Sequence, residues 1–269
     1  MKHKIITFGE LMLRLSPDNN ERFTQAHSYE AVYGGGEANT AVSLANFNVD
    51  TRYVTKLPKH TIGQSAVNSL RQYGVDVSRI VRGGDQIGIY FLEKKTSQRP
   101  TNVIYNRNGS AFALATKKDF DWDSIFDGAT WFHFSGITPA ISDNMAEITI
   151  EACKEAKKRG ITVSCDLNYR SKLWSSEKAN KVMSEVCRYV DICIANEDDA
   201  VGIFGMDASK SDKEKNAYIA EELTKMFPNF KMVASVWRTE TSITTFKLQS
   251  MIYTCLLYTS DAADEEDSV

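Results

Sequence analysis

Short runs of branched and aromatic residues alternate with helix-period patterns along most of this chain, and no other feature constrains the fold as much. Residues 4–8 precede a helical pattern over 37–47, and 51–55 precede one over 63–73. The same holds for 131–134 before 143–159, for 161–167 before 177–187, and for 191–195 before 197–204 and 214–226, with a last run at 232–236. Repetition of strand, helix, strand predicts an α/β fold on a mostly parallel, doubly wound sheet. In such sheets ligands bind outside the carboxyl ends of the strands. Polar residues follow the strands here: Gly9-Glu10, Ser135-Gly136, Asp166 with Asn168 and Arg170, Asn196-Glu197, and Arg238-Thr239. Loops are polar in general, but that accounts poorly for Asp-x-Asn-x-Arg.

Two segments break the rhythm. Residues 11–15 place leucines on one face, and 86–93 with 102–107 read as two strands joined by the polar loop 94–101, so a small β appendage is predicted over the main sheet. Within it Tyr105 and Arg107 share a face by period two, as an exposed strand face or as part of a site.

Gly34-Gly35-Gly36 runs directly into the helical pattern of Ala38, Ala41, Val42 and Ala45. Glycine lets a ligand touch the backbone, and the first N–H groups of a helix lack intrahelical partners at the positive end of its dipole. An anionic or hydroxyl-rich ligand fits such a terminus; a tight turn without a ligand is the other reading. The chain has no G-x-x-x-x-G-K-[ST], and Asn39 stands where a G-x-G-x-x-G would end.

At 269 residues and 42% hydrophobic, the chain can bury one large core with an appendage. A net charge of −3 argues against general nucleic-acid binding. No signal-peptide core and no run of about 18 apolar residues occurs, so a cytoplasmic protein without membrane contact is expected. Cys153, Cys165, Cys187, Cys193 and Cys255 show no C-x-x-C and read as buried thiols. His133 reads as a core or strand-end residue.

Taken in order, residues 34–39, 70–76, Asp166-Leu167-Asn168-Tyr169-Arg170 and Asn196-Glu197-Asp198-Asp199 resemble the ribokinase-like (PfkB) sugar kinases over roughly residues 3–253. Ile89-Tyr90, Tyr105-Asn106-Arg107 and Trp131-Phe132-His133-Phe134-Ser135-Gly136-Ile137 are most similar to the 2-keto-3-deoxygluconate kinase branch. The resemblance implies a Rossmann-like domain with a β-sheet lid from about 11–33 and 86–108, using ATP and Mg2+ to phosphorylate a small-molecule sugar acid. It implies that Gly34, Gly35, Gly36 and Asn39 bind sugar hydroxyls, that Tyr90 and Tyr105 wall the pocket, and that Arg107 and Arg170 hold the substrate's acid group. A guanidinium forks onto a carboxylate as lysine cannot. By resemblance, Asn168, Tyr169, Arg170, Ser235, Arg238 and Thr239 approach the nucleotide, and Asn196 and Asp199 organise magnesium, with aspartate where glutamate is usual. Association of copies through the lid is left open.

The chain also departs from the family. PfkB kinases carry a C-terminal G-x-G-D, whose N–H groups form an anion hole and whose aspartate is the base; here the last glycine is Gly205. No catalytic residue is therefore assigned, and this chain is expected to be an incomplete, inactive kinase domain over 1–253. Residues 254–269 are expected to be an acidic tail outside the family, resembling translated adapter sequence, with a natural disordered terminus as the alternative. Two other functions stay open: a kinase of a neutral sugar such as fructose or ribose, and a non-catalytic sugar-binding protein.

Overall fold

The structure is a computed structural model that describes residues 3–96, 99–207, 209, 212–240 and 246–254. Cys255 and the expected acidic tail beyond Thr254 lie outside the described residues. In chain order the elements are β1 (Lys4–Phe8), β2 (Met12–Pro17), β3 (Tyr29–Gly34), α1 (Gly36–Asn46), β4 (Asp50–Val54), β5 (Lys56–Leu57), α2 (Thr61–Arg71), β6 (Val81–Arg82), β7 (Ile89–Glu93) and β8 (Asn102–Asn106). There follow α3 (Trp122–Ile125), β9 (Trp131–Ser135), α4 (Ile137–Ala140), α5 (Asp143–Lys158), β10 (Thr162–Asp166), α6 (Ser176–Cys187), β11 (Ile192–Ile194), α7 (Glu197–Phe204), α8 (Asp212–Met226), β12 (Met232–Glu240) and β13 (Phe246–Thr254).

The main sheet has the order β13-β12-β11-β10-β9-β1-β4 and is parallel apart from the β12–β13 pair. This is the predicted doubly wound α/β sheet. The strand expected over 232–236 instead continues to Glu240, because it pairs antiparallel with β13 from Met232↔Thr254 to Glu240↔Phe246. The β appendage is a second sheet of order β3-β2-β7-β8. Its outer pairs are antiparallel and its central β2–β7 pair is parallel.

Strand alternation sorts the sheet's faces. Phe8, Phe132, Phe134, Val163, Cys165, Cys193 and Val233 point into a core shared with α5 and α6, where Met145, Ile148, Ala152, Cys153, Met183 and Val186 recur at helical spacing. Each such apolar side chain taken fully out of water stabilises by about 1.5–3 kcal/mol. Both helices start at serine caps, Ser142 and Ser175, whose side chains accept the N–H of Met145 and Lys178. The four described cysteines are free and buried. A second core forms under the appendage, where Leu11, Ala38, Ala41, Tyr53, Val67 and Leu70 join α1, α2 and β4. On the sheet's opposite face, at its β12–β13 edge, Val236, Leu248 and Ile252 stay 54%, 70% and 64% exposed. Among the described residues no helix is long and apolar enough to cross a membrane.

Candidate active site

The three glycines do different work. Gly35 precedes α1 with an extended backbone, and a side chain there would run into the main-chain carbonyl of Glu10. A Cβ on Gly34 would stand 3.6 Å from the Tyr90 hydroxyl and 3.9 Å from Asn39 Oδ1, whereas Gly36 faces open space. Only Gly35 is demanded by packing; Gly34 lies beside Asn39 and Tyr90. No side chain caps α1, so no capping side chain takes up its first N–H groups.

Tyr90 and Tyr105 are cross-strand partners in the appendage, with ring centroids 5.8 Å apart. The Arg107 guanidinium lies 6.0 Å from the Tyr105 ring centroid. It is buried, because Glu10 Oε2 accepts its Nε–H at 2.8 Å and also its Nη2–H. Ser110 donates its hydroxyl to the other Glu10 oxygen at 2.5 Å. Tyr105, Arg107, Ile137, Tyr169, Arg170 and Lys172 line one cavity of about 350 Å³ between the appendage and the end of β10. None of its lining residues carries a carboxylate. Arg107 and Arg170 thus come from two structural units to one cavity.

Behind this cavity three carboxyls converge at strand ends. Glu37 is buried and accepts the N–H and hydroxyl of Ser135, at 2.9 and 2.6 Å, and the Thr138 hydroxyl at 3.2 Å. Asp199 accepts the N–H of Tyr169 at 2.6 Å and of Asn196 at 3.1 Å, while Asn196 Oδ1 accepts the N–H of Asp199 at 2.9 Å. Burial, more than anything else, raises the Asp199 carboxyl above the usual range. Asp166 is pushed up to about 7 by burial first, then by the charges of Asp199 and Glu37, with Arg170 opposing. Asn168 turns the chain out of β10 with a positive φ of 39°.

Asn196 and Asp199 therefore form a capping box at the start of α7. Among the described residues no cluster of three His, Cys, Asp or Glu side chains could hold a metal ion. Both Asp199 oxygens already accept main-chain N–H groups, so this pair fits magnesium through bridging water better than by direct ligation.

On the far side of α7, a cavity of about 330 Å³ is lined by Asn196, Lys215, Asn216, Trp237, Arg238 and Thr239, together with Glu197, Asp198 and Val236. Lys215 pairs with Glu197 at 2.7 Å. Ser235 does not join Arg238 and Thr239 there. Strand alternation turns it with Val233 into the core, where it is fully buried and its hydroxyl finds no partner among the described residues. His133 sits on β9 with Nδ1 2.9 Å from Ser164 Oγ, and burial lowers its pKa.

This architecture, a strand-end crevice under a β appendage, can be set beside known proteins. A model of the pfkB family carbohydrate kinases matches residues 2–229. The chain belongs to that family. It is 37% identical over 209 residues to a 2-dehydro-3-deoxygalactonokinase of Haloferax volcanii, covering 77% of this chain and 65% of the relative. It is 29% identical over 179 residues to a 2-dehydro-3-deoxygluconokinase of Bacillus subtilis, covering 66% and 55%. The chain thus spans between 55% and 65% of the length of these curated relatives. The crystal structure of a Thermotoga maritima 2-dehydro-3-deoxygluconokinase is 46% identical and superposes with a TM-score of 0.91, covering 95% of this chain and 77% of that one. Within this family fold the appendage takes the place of the expected lid.

Glu10, Glu37, Ser135 and Lys172 have no role assigned from the sequence, although Glu37 and Ser135 lie within the stretches that resemble the family. Glu37 directly follows three glycines at a helix start, where acidic residues are favoured, and that was the available signal.

Proposed function

We propose that the lid cavity binds the carboxylate of a 2-keto-3-deoxy sugar acid, and that the parent enzyme transfers the γ-phosphoryl group of ATP to the sugar's terminal hydroxyl. One observation carries this reading: guanidiniums from the lid and from β10 line the same carboxylate-free cavity. A neutral sugar has no charge for Arg170 to meet, whereas a sugar acid offers a planar group suited to forked N–H donors, including those of Arg107 that Glu10 does not take. The names of the relatives support the same class. Gly34 and Asn39 stand beside Tyr90 to take hydroxyls, and Tyr105 covers the ring or chain of the sugar.

Phosphoryl transfer is mostly positioning and charge stabilisation. In this reading Lys215, Arg238 and Thr239 receive the nucleotide, and Asn168, Tyr169 and Arg170 lie where the phosphates pass toward the sugar. Asn196 and Asp199 would hold magnesium through water; when bound with the nucleotide, the ion neutralises phosphate charge. The sequence has no glycine after Gly205 and hence no G-x-G-D, so the 269-residue protein is proposed to bind sugar without turning over ATP.

Calorimetry on this protein tests the reading. 2-Keto-3-deoxygluconate should bind and fructose should not compete, and Arg170→Ala should weaken the acid roughly tenfold to a hundredfold, the ~1.5–3 kcal/mol of a charge-assisted hydrogen bond. Preferential binding of fructose would favour a neutral-sugar kinase. Sugar-dependent ATP turnover, with host kinases excluded, would overturn the proposed inactivity.

A further inference from the structure

The chain passes between the main sheet and the lid four times, and all four passages meet at one side chain or its backbone. The first, between β1 and β2, contains Glu10 itself. The second enters α1 through Gly35, which lies so close to the Glu10 carbonyl that no Cβ fits between them. The third enters β7 through Gly88, where a Cβ would stand 2.6 Å from Glu10 Oε1. The fourth leaves β8 through Arg107 and Ser110, both bonded to the Glu10 carboxylate. The third and fourth are also tied to each other, by Ala111 N–H on Gln86 O at 2.8 Å and by the Gln86 side chain on Asn108 O at 2.9 Å.

We infer that Glu10 is the hinge pin of the lid, a positioning residue that holds Arg107 at the cavity and couples what Arg107 binds to the placement of all four passages. The chemistry follows from the guanidinium's five donors. Glu10 takes Nε–H and one Nη2–H, which leaves both Nη1 hydrogens and the second on Nη2, an edge with the fork geometry a carboxylate accepts. An anion on that edge shares its guanidinium with Glu10. Its pull on Arg107 is therefore felt through a buried, hydrogen-bonded carboxylate by Gly88, and through the Glu10 main chain by Gly35. Glu10 and Arg107 are 5% and 7% exposed, so water does not loosen this coupling. The ligand half of the inference rests on the sugar-acid reading; the hinge half does not.

Hydrogen exchange measured by mass spectrometry on the full 269-residue chain tests both halves. Without ligand, Glu10→Gln should speed exchange in 89–93 and 102–106 at least tenfold while 162–166 in β10 is unchanged. Ser110→Ala, which removes one hydrogen bond and keeps the ion pair, should act in the same direction by about two- to threefold. Unchanged lid exchange in a folded Glu10→Gln protein, or equal acceleration in β10, overturns the hinge assignment; if Glu10→Gln does not fold, Ser110→Ala decides by the same regional contrast. With saturating 2-keto-3-deoxygluconate, the wild type should gain protection at 170–173 and also at 34–36 and 86–88. Glu10→Gln should keep the first and lose the other two. Protection of 34–36 and 86–88 persisting in Glu10→Gln would overturn the coupling. A wild type that gains no protection anywhere would overturn the sugar-acid reading alone, with the ligand-free comparison still deciding the hinge.

Discussion

Cations line both cavities, but they are held in different ways. Around the lid cavity Arg107 is buried against Glu10 and Ser110. Beside β12, Lys215 meets a Glu197 side chain that is 41% exposed, and Arg238 and Thr239 project from an exposed strand end. On the lid side Arg107 is fixed by desolvated partners while Arg170 and Lys172 stay exposed; the β12 side is shaped by an antiparallel strand pair with one bare face. Preorganisation in this molecule follows burial rather than charge.

The largest expected effect tests this contrast directly. Arg107→Ala leaves Glu10 buried without its cation and should cost about 3–5 kcal/mol of stability, whereas Lys215→Ala should cost at most about 1 kcal/mol. Equal losses by urea unfolding would erase the difference between the two sides. Next, Gly35→Ala should cost about 1–3 kcal/mol, because its Cβ meets a carbonyl that cannot easily move. Gly36→Ala, facing open space, should change stability by less than about 0.5 kcal/mol. A harmless Gly35→Ala would mean that the lid root is looser than described.

Asp166 gives a pH-dependent test. Its carboxyl titrates at about 7 when folded and at about 3.9 when unfolded. Between those values the folded state binds more protons, so stability falls as pH rises from 4 to 7 and the penalty is fully present above 7. Asp166→Asn should therefore leave stability nearly unchanged near pH 4 and raise it by up to about 4 kcal/mol at pH 8. Denaturation curves showing the gain at pH 4 instead would refute the assignment. The smallest effect is on the bare face: Leu248→Thr should shift stability by no more than about 0.5 kcal/mol while reducing aggregation. A loss of 2 kcal/mol or more would show that the face is packed.

The parallel strands and the long helices were legible because their burial repeats at two and at 3.6 residues, a local property. The run of β12 beyond residue 236 was not, because Arg238, Thr239 and Glu240 are strand only through pairing with β13. The burial of Ser235 follows from alternation with the exposed Val236, which outweighs its place in a strand-end motif. The N-x-x-D spacing of Asn196 and Asp199 suits a capping box as well as a magnesium site. Arg107 was seen to share a face with Tyr105; that a glutamate 97 residues earlier holds it is a tertiary fact that no local pattern contains.

Tyr169 connects one cavity to the other. Its ring helps line the one under the lid, its N–H is accepted by Asp199, and Asp199 is locked to Asn196, which lines the other. A Cβ on Gly202 of α7 would collide with the same ring. The two cavities are thus joined through the hydrogen-bonded relay Tyr169–Asp199–Asn196. A substitution that moves Tyr169 or Asp199 will therefore be felt in both cavities, whereas Tyr105 offers a way to reshape the one under the appendage alone.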